Sequence, residues 1–220
     1  METLYDQLLA ASFPDWLAIV TSLAYVWLAA RDNNWCWLFA AISTAVWAWQ
    51  SFFEYQLISD GLLQLFYFIM AGVGIWRWQL HKSSSDEQPL LTGSGLLDET
   101  ALPIRRKSSI RRMTLTEHAA IIIGSLIVGQ CLYLFVSGVF VSAATQPDAL
   151  TTAFSISTTF LLIGRRLENW LYWIVIDAVY VWVYLSTGAV LFALMMVINI
   201  GMAIYGYFNW QKDLLPTEPR

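Results

Sequence analysis

Residues 168–177, Glu168-Asn169-Trp170-Leu171-Tyr172-Trp173-Ile174-Val175-Ile176-Asp177, open a long apolar run. On a helix, residues three and four positions apart share one face. One such face then carries Trp170, Trp173, Asp177, Tyr180 and Tyr184. A carboxylate this deep in an apolar run requires a partner, a water-filled cavity or a ligand. Aromatic rings beside a carboxylate suit a flat, cationic solute that carries a ring.

The composition is that of a membrane protein. Of the 220 residues, 58% are hydrophobic and 13% are charged, whereas a soluble domain is about 25% charged. The N-terminus has no basic residues before its first apolar run, so we expect no cleaved signal peptide. Two cysteines and two histidines are too few for a disulfide framework or a metal site.

Seven apolar runs are each near the length that a helix needs to cross a bilayer. They span Asp15–Ala30, Trp35–Phe53, Gly61–Gln79, Leu115–Phe140, Ala149–Gly164, Trp170–Ser186 and Ala189–Trp210. An amphipathic segment, Leu4–Phe13, precedes them and is expected to lie along the membrane surface. We therefore predict an all-α integral membrane protein with seven transmembrane helices.

The positive charges predict the orientation. Residues 81–113 form the only long polar stretch, and we expect a partly disordered loop there. If this loop is cytoplasmic, alternation of seven spans places all 12 Lys and Arg residues at cytoplasmic ends. The opposite loops carry acids alone, among them Asp60 and Asp148. The N-terminus is then outside and the C-terminus is cytoplasmic.

Helices one to three resemble helices five to seven. Arg31-Asp32-Asn33-Asn34-Trp35 precedes the second helix as Arg166-Leu167-Glu168-Asn169-Trp170 precedes the sixth, which makes Asn34 the counterpart of Asn169. Gly74 to Gln79 ends the third helix as Gly206 to Gln211 ends the seventh. Because one helix separates the halves, the repeats are parallel and the solute site is expected at their interface.

These patterns divide the chain into five parts. Residues 1–80 hold the surface segment and the first three-helix repeat, and residues 81–114 form the cytoplasmic loop. Residues 115–140 are the linker helix, residues 147–211 the second repeat, and residues 212–220 a cytoplasmic tail.

Trp173 and Asp177 are the first candidates for solute contact. Asp177 either binds a cation or hydroxyls of a solute, or makes a structural hydrogen bond to a neighbouring helix. Trp170 lies closer to the membrane interface, where tryptophan often serves as an anchor. Glu168 and Asn169 either cap the helix or gate the pathway, and Asn34 is placed with them.

Polar side chains inside other apolar runs extend the candidate site. Gln64 and Tyr67 continue a stripe that begins at Asp60, and the amide of Gln64 needs partners in lipid. Asn199 falls at the repeat position of Tyr67. Tyr180 completes the set of predicted substrate-binding residues. No catalytic or phosphate-binding motif is present, so we predict neither an enzyme nor a cofactor.

The motif Glu-Asn-Trp-Leu-Tyr-Trp at residues 168–173 resembles the PnuC family of vitamin-precursor transporters. The segment from Leu62 to Phe68, followed by Gly74 and Trp78, is similar to a second family motif. Asp177 stands where some members of that family carry asparagine. The resemblance implies a 3+1+3 arrangement of helices like that of the SWEET transporters, a bacterial inner membrane and a homotrimer.

The function that the resemblance implies is uptake of nicotinamide riboside by facilitated diffusion, with intracellular phosphorylation trapping the solute. Members that move thiamine or other vitamins and nucleosides make thiamine the first alternative. A second alternative, from another class, is a membrane scaffold or sensor whose basic loop recruits a partner. The partners expected are the vitamin precursor and the lipid bilayer, and no nucleic acid.

Overall fold

The structure is a computed structural model that describes residues 4–53, 58–86, 110–139 and 146–214. These residues form eight helices. They are α1 (Leu4–Ala10), α2 (Phe13–Ala30), α3 (Cys36–Phe53), α4 (Ile58–Asp86), α5 (Leu115–Val139), α6 (Gln146–Ile163), α7 (Asn169–Thr187) and α8 (Val190–Asp213). The all-α prediction is confirmed for the described residues.

Each predicted apolar run coincides with one helix, α2 to α8, and the predicted surface segment contains α1. Within the described residues, five helices are long and apolar enough to cross a membrane, namely α2, α3, α5, α8 and the part of α4 at Gly61–Gln79. The apolar part of α6, Ala149–Ile163, is shorter.

The predicted loop at residues 81–113 is wrong at both ends. Helix α4 continues to Asp86, so its first six residues are helical. At the other end, Ile110 is 4% exposed in the main hydrophobic cluster, and the Arg111 backbone pairs with Arg165 and Leu167 at 3.0 and 2.9 Å. Residues 87–109, which include Arg105, Arg106 and Lys107 of the predicted basic loop, lie outside the described residues.

The helices form two groups of three. Helix α3 packs between α2 and α4, and α7 packs between α6 and α8. Contacts of α2 with α8, and of α4 with α6, join the groups, while α5 packs on α6.

Tryptophan pairs with the same geometry recur in both groups. Trp37 meets Trp78 edge to face at 5.2 Å, and Trp170 meets Trp210 edge to face at 5.3 Å. All four side chains are at most 2% exposed. These contacts require glycine at Gly74 and Gly206, because a Cβ there would collide with the indole of Trp37 or Trp170.

Hydrogen bonds cross between the groups in a reciprocal way. The indole Nε1 of Trp78, on α4, donates to the Ile163 carbonyl at the end of α6 at 3.2 Å. The indole Nε1 of Trp210, on α8, donates to the Ala29 carbonyl near the end of α2 at 3.1 Å. The ends of α2, α4, α6 and α8 therefore meet at the same end of the bundle.

The turns after α2 and α6 have the same backbone conformation, which corrects the predicted correspondence of Asn34 with Asn169. Asp32 and Arg165 both adopt the left-handed conformation, with φ of 51° and 52°. Aligned on these two residues, Asn169 corresponds to Cys36, and both are fully buried. The predicted alignment also failed on burial, because it matched Trp35, which is 65% exposed, with Trp170.

Candidate functional site

A cavity of about 670 Å³ lies between the two groups and is lined by residues of α2, α3, α4, α6, α7 and α8. Small-molecule sites usually measure roughly 300–1,000 Å³, so the space is sufficient for a nucleoside-sized solute.

All seven predicted substrate-binding residues line this cavity. From α7 come Trp170, Trp173, Asp177 and Tyr180, from α4 come Gln64 and Tyr67, and from α8 comes Asn199. The structure therefore brings together side chains that are up to 135 positions apart in the sequence (Gln64 and Asn199). Whether they contact a solute stays a prediction.

Asp177 is the carboxylate on the cavity wall. Its side chain is 6% exposed. Among the described residues, no hydrogen bond or ion pair reaches its carboxylate, so the structural hydrogen bond to a neighbouring helix is not found. A buried carboxylate without a protein partner attracts a cation or a hydrogen-bond donor.

Aromatic rings flank Asp177 along the same face of α7. Tyr180 and Tyr184 stack at 5.8 Å with an interplanar angle of 19°, and Tyr184 leans against Phe192 of α8 at 5.6 Å. Trp173 lies one turn before Asp177 and is half-buried. This stripe presents ring faces next to a negative charge, which is an arrangement that binds ring-bearing cations.

Amide groups complete the polar part of the wall. Gln64 and Asn199 come from α4 and α8, which occupy corresponding places in the two groups of helices. The Oδ1 atom of Asn199 is buried without a hydrogen-bond partner in the described structure. An acceptor left in this state is available for a hydroxyl of a solute.

The wall formed by α2 and α3 escaped sequence reasoning. It includes Tyr25, Trp37 and Trp47, together with Ser43 and Thr44. The two hydroxyls donate to the Ala40 carbonyl at 3.1 and 2.7 Å, which leaves this wall largely apolar. In the structure, Trp37 contacts Gly74 as Trp170 contacts Gly206, and this correspondence between the two groups could have identified Trp37 as a lining residue.

Trp47 lines the cavity, whereas Trp49 is 50% exposed, because side chains two positions apart on a helix point in different directions. Among the described lining residues there is no Lys or Arg. Asp177 is therefore the one acidic or basic side chain among the described lining residues, and its carboxylate form suits a cation and repels a phosphate group.

The three predicted gating or capping residues lie at the turns where the two groups of helices meet. Asn34 accepts a long hydrogen bond, 3.5 Å, from Arg165. Glu168 occupies the N-cap position of α7 without a capping hydrogen bond, and its carboxylate instead accepts from the Met113 amide at 2.8 Å. Asn169 is buried and donates to the Arg166 carbonyl at 2.6 Å. The interpretation of Glu168 as a side-chain cap of α7 is therefore wrong.

Trp170 is not an interface anchor. It is 2% exposed, lines the cavity and packs against Trp210. With Trp37 it forms the floor of the cavity at the end that carries the α2–α3 and α6–α7 turns.

Comparisons with known proteins identify a family and relatives for this chain. The family model described as nicotinamide mononucleotide transporter matches residues 12–212. The nicotinamide riboside transporter PnuC of Neisseria mucosa is 26% identical over 211 residues, which cover 90% of this chain and 73% of the relative. The PnuC of Haemophilus influenzae is 30% identical over 91 residues, covering 41% of this chain and 39% of the relative.

A solved structure shares the fold. The crystal structure of the vitamin B3 transporter PnuC superposes with a TM-score of 0.68 and 22% identity, over 90% of this chain and 80% of that chain. Since the family model covers nearly the whole chain, this protein belongs to the nicotinamide mononucleotide transporter family, that of the PnuC transporters.

Proposed function

We propose that the protein carries nicotinamide riboside across a membrane through the cavity between the two groups of helices. The observation that carries the proposal is Asp177, a buried carboxylate without a protein partner on a wall of aromatic rings. Nicotinamide riboside has a flat cationic ring and sugar hydroxyls, which match this stripe and the amides of Gln64 and Asn199.

The charge of the wall favours the nucleoside over its phosphorylated form. A phosphate would face Asp177 and, among the described lining residues, no Lys or Arg to balance it. The same charge argument supports trapping of the solute. Phosphorylation inside the cell would give a product that the carboxylate repels, so that uptake by facilitated diffusion could continue.

The membrane arrangement that we propose has seven spanning helices, α2 to α8, as two parallel three-helix repeats joined by α5. Support comes from the recurring tryptophan pairs and from the reciprocal hydrogen bonds of Trp78 and Trp210. The helix ends that these bonds join carry Arg31, Arg165 and Lys212, so this end is assigned to the cytoplasm. We also propose a bacterial inner membrane and a homotrimer, as in the family that the sequence resembles.

Reporter fusions test the topology. A fusion after Trp210 and one after Gln79 should both report the cytoplasm, whereas one after Asp60 should report the outside. The reason is that α4 and α8 end at the positively charged face. A cytoplasmic signal from the Asp60 fusion would remove one span and overturn the orientation.

The cytoplasmic end of the cavity is proposed as a gate. Asn34, Glu168 and Asn169 lie in the turns that meet there, and none of them lines the cavity. Solute leaving on this side has to pass the floor formed by Trp37 and Trp170 and then these turns.

Uptake into proteoliposomes tests the function. We expect labelled nicotinamide riboside to enter liposomes that contain the protein at a rate well above that of empty liposomes. Thiamine, the second candidate, is also a flat ring cation and suits the same stripe. If a neutral nucleoside or flavin enters while neither cation does, the argument from Asp177 fails.

A further inference from the structure

Asp32 and Arg165 are corresponding residues of the two groups of helices that contact each other. Each follows the end of its helix, each has a left-handed backbone, and the Asp32 Oδ1 atom lies 3.2 Å from the Arg165 Nε atom. Two corresponding residues meet only close to the axis that relates the groups. The ion pair therefore lies on the line where the two halves of the bundle meet.

The pair lies beyond the cavity floor. Trp37 and Trp170 line the cavity, and Trp78 and Trp210 contact them from behind. The guanidinium of Arg165 then lies over the Trp78 ring at 4.3 Å. Neither Asp32 nor Arg165 lines the cavity, so the pair has no direct role in holding a solute there.

We propose that the Asp32–Arg165 ion pair is the latch that holds this end of the pathway closed. The inference rests on the proposed transport function, since only a moving solute requires the two halves to part along the line where they meet, which we call the seam. A solute that leaves the cavity at this end passes between the two halves, and the pair separates when they part.

A partly buried ion pair suits a latch that must open reversibly. Burial raises the pKa of Asp32 to about 6, even though Arg165 lowers it, and nearby Asp213 raises it further. Taking the two charges out of water thus offsets much of their attraction, and the pair adds little net stability. The signs of the two charges nevertheless matter, because two like charges at these positions would repel each other with little solvent to screen them.

The correspondence of the two residues allows a charge swap. In the variant Asp32→Arg with Arg165→Asp, the exchanged residues keep positions that are equivalent in the two halves. In the native protein Arg165 lies over the Trp78 ring. Trp210 corresponds to Trp78, so it offers an equivalent ring to the arginine at position 32. The single reversals Asp32→Arg and Arg165→Asp instead set like charges against each other.

The chain contains a native reporter for opening. Cys36 is fully buried beside this turn, and Cys131 is the other cysteine. With Cys131→Ser in the background, Cys36 is the single target for a membrane-impermeant maleimide added on the side of the α2–α3 turn. Both single reversals should speed its labelling by about tenfold or more, and the swap should return the rate to near that of the parent.

Local electrostatics alone predicts a different pattern. Asp32→Arg would favour the reactive thiolate and speed labelling, whereas Arg165→Asp would disfavour it and slow labelling. Opening of the seam speeds both. The matched control is Arg31→Ala, which removes a charge from the same turn but from a side chain that lies over Trp27, and its rate should stay unchanged.

A second reporter distinguishes a latch, which controls opening of the pathway, from a contact that only stabilises the two turns. Ser51 lines the cavity 15 residues further along α3, about 22 Å away. In a Cys36→Ser, Cys131→Ser background, Ser51→Cys reports access from the opposite side. Under alternating access, the reversals should slow labelling at position 51 while they speed it at Cys36. Faster labelling at Cys36 with an unchanged rate at position 51 would overturn the latch.

The other outcomes are equally decisive. A swap that folds but labels as fast as a single reversal overturns the proposal, as does a Cys36 rate that neither reversal changes. If one single reversal fails to fold, the other reversal and the swap decide by the same two rates. Because no solute is added, failure here is distinct from failure of the uptake experiment.

Discussion

Replacing Asp177 by asparagine should weaken the binding of nicotinamide riboside by about a hundredfold, while its reduced, uncharged form loses less than about threefold. The substitution preserves the size and hydrogen-bonding capacity of the side chain but removes its charge. A hundredfold loss corresponds to about 2.7 kcal/mol, well within the roughly 4 kcal/mol attraction of two charges 4 Å apart at an effective dielectric constant of 20. Calorimetry on the purified protein in detergent measures both solutes.

The reduced nucleoside is the control for this experiment, because it lacks the positive charge while its size and sugar are retained. Its ring is no longer aromatic, so the quantity to compare is the loss of affinity from wild type to Asp177→Asn for each solute. Asp177→Asn also leaves the six other predicted contact residues unchanged. Equal weakening of both solutes, or of neither, would mean that Asp177 does not select for charge. The site would then rest on the aromatic residues alone.

Replacing Trp173 by alanine should weaken binding about thirtyfold, or about 2 kcal/mol, which is typical of a desolvated cation–π contact. Trp173→Phe should cost less, because a ring face remains next to Asp177. The matched control is Trp182→Ala, on the same helix, whose side chain is 64% exposed and does not line the cavity. Loss of binding in both alanine variants would show damage to α7 rather than to a contact.

The helices and much of the candidate site were accessible from sequence because their signals are local. Apolar length sets each span, and helical spacing places Trp173, Asp177 and Tyr180 on one face, which is the face that lines the cavity. Gln64 and Asn199 stood out because polar groups inside apolar runs need partners. Apolar length, helical spacing and isolated polar residues can all be recognised without knowing which helices are in contact.

What sequence reasoning missed depends on tertiary contacts. The correspondence of Asn34 with Asn169 failed because the two turns are matched by backbone conformation at Asp32 and Arg165, where the sequence shows no common residue type. Trp37 resembled any other tryptophan until its contact with Gly74 was known. The α2–α3 wall of the cavity consists of small hydroxyl and aromatic side chains that are equally common in helix–helix contacts.

The C-terminal end of the predicted polar loop was also mispredicted because its structure depends on a tertiary contact. Composition predicted a solvated segment up to Met113, yet Ile110 is buried and the Met113 amide donates to Glu168. Four residues at the end of a polar stretch carry too little pattern to reveal docking onto a turn 55 positions away in the sequence.

Calorimetric titration of the wild-type protein with three forms of one solute tests the proposed site: nicotinamide riboside, its reduced uncharged form and its 5′-phosphate. A cavity with a carboxylate on an aromatic wall, and with no Lys or Arg among its described lining residues, should bind the cationic nucleoside most tightly. The uncharged form and the phosphate should each bind at least about tenfold more weakly. Equal or tighter binding of the phosphate, or indifference to the charge of the ring, would contradict it.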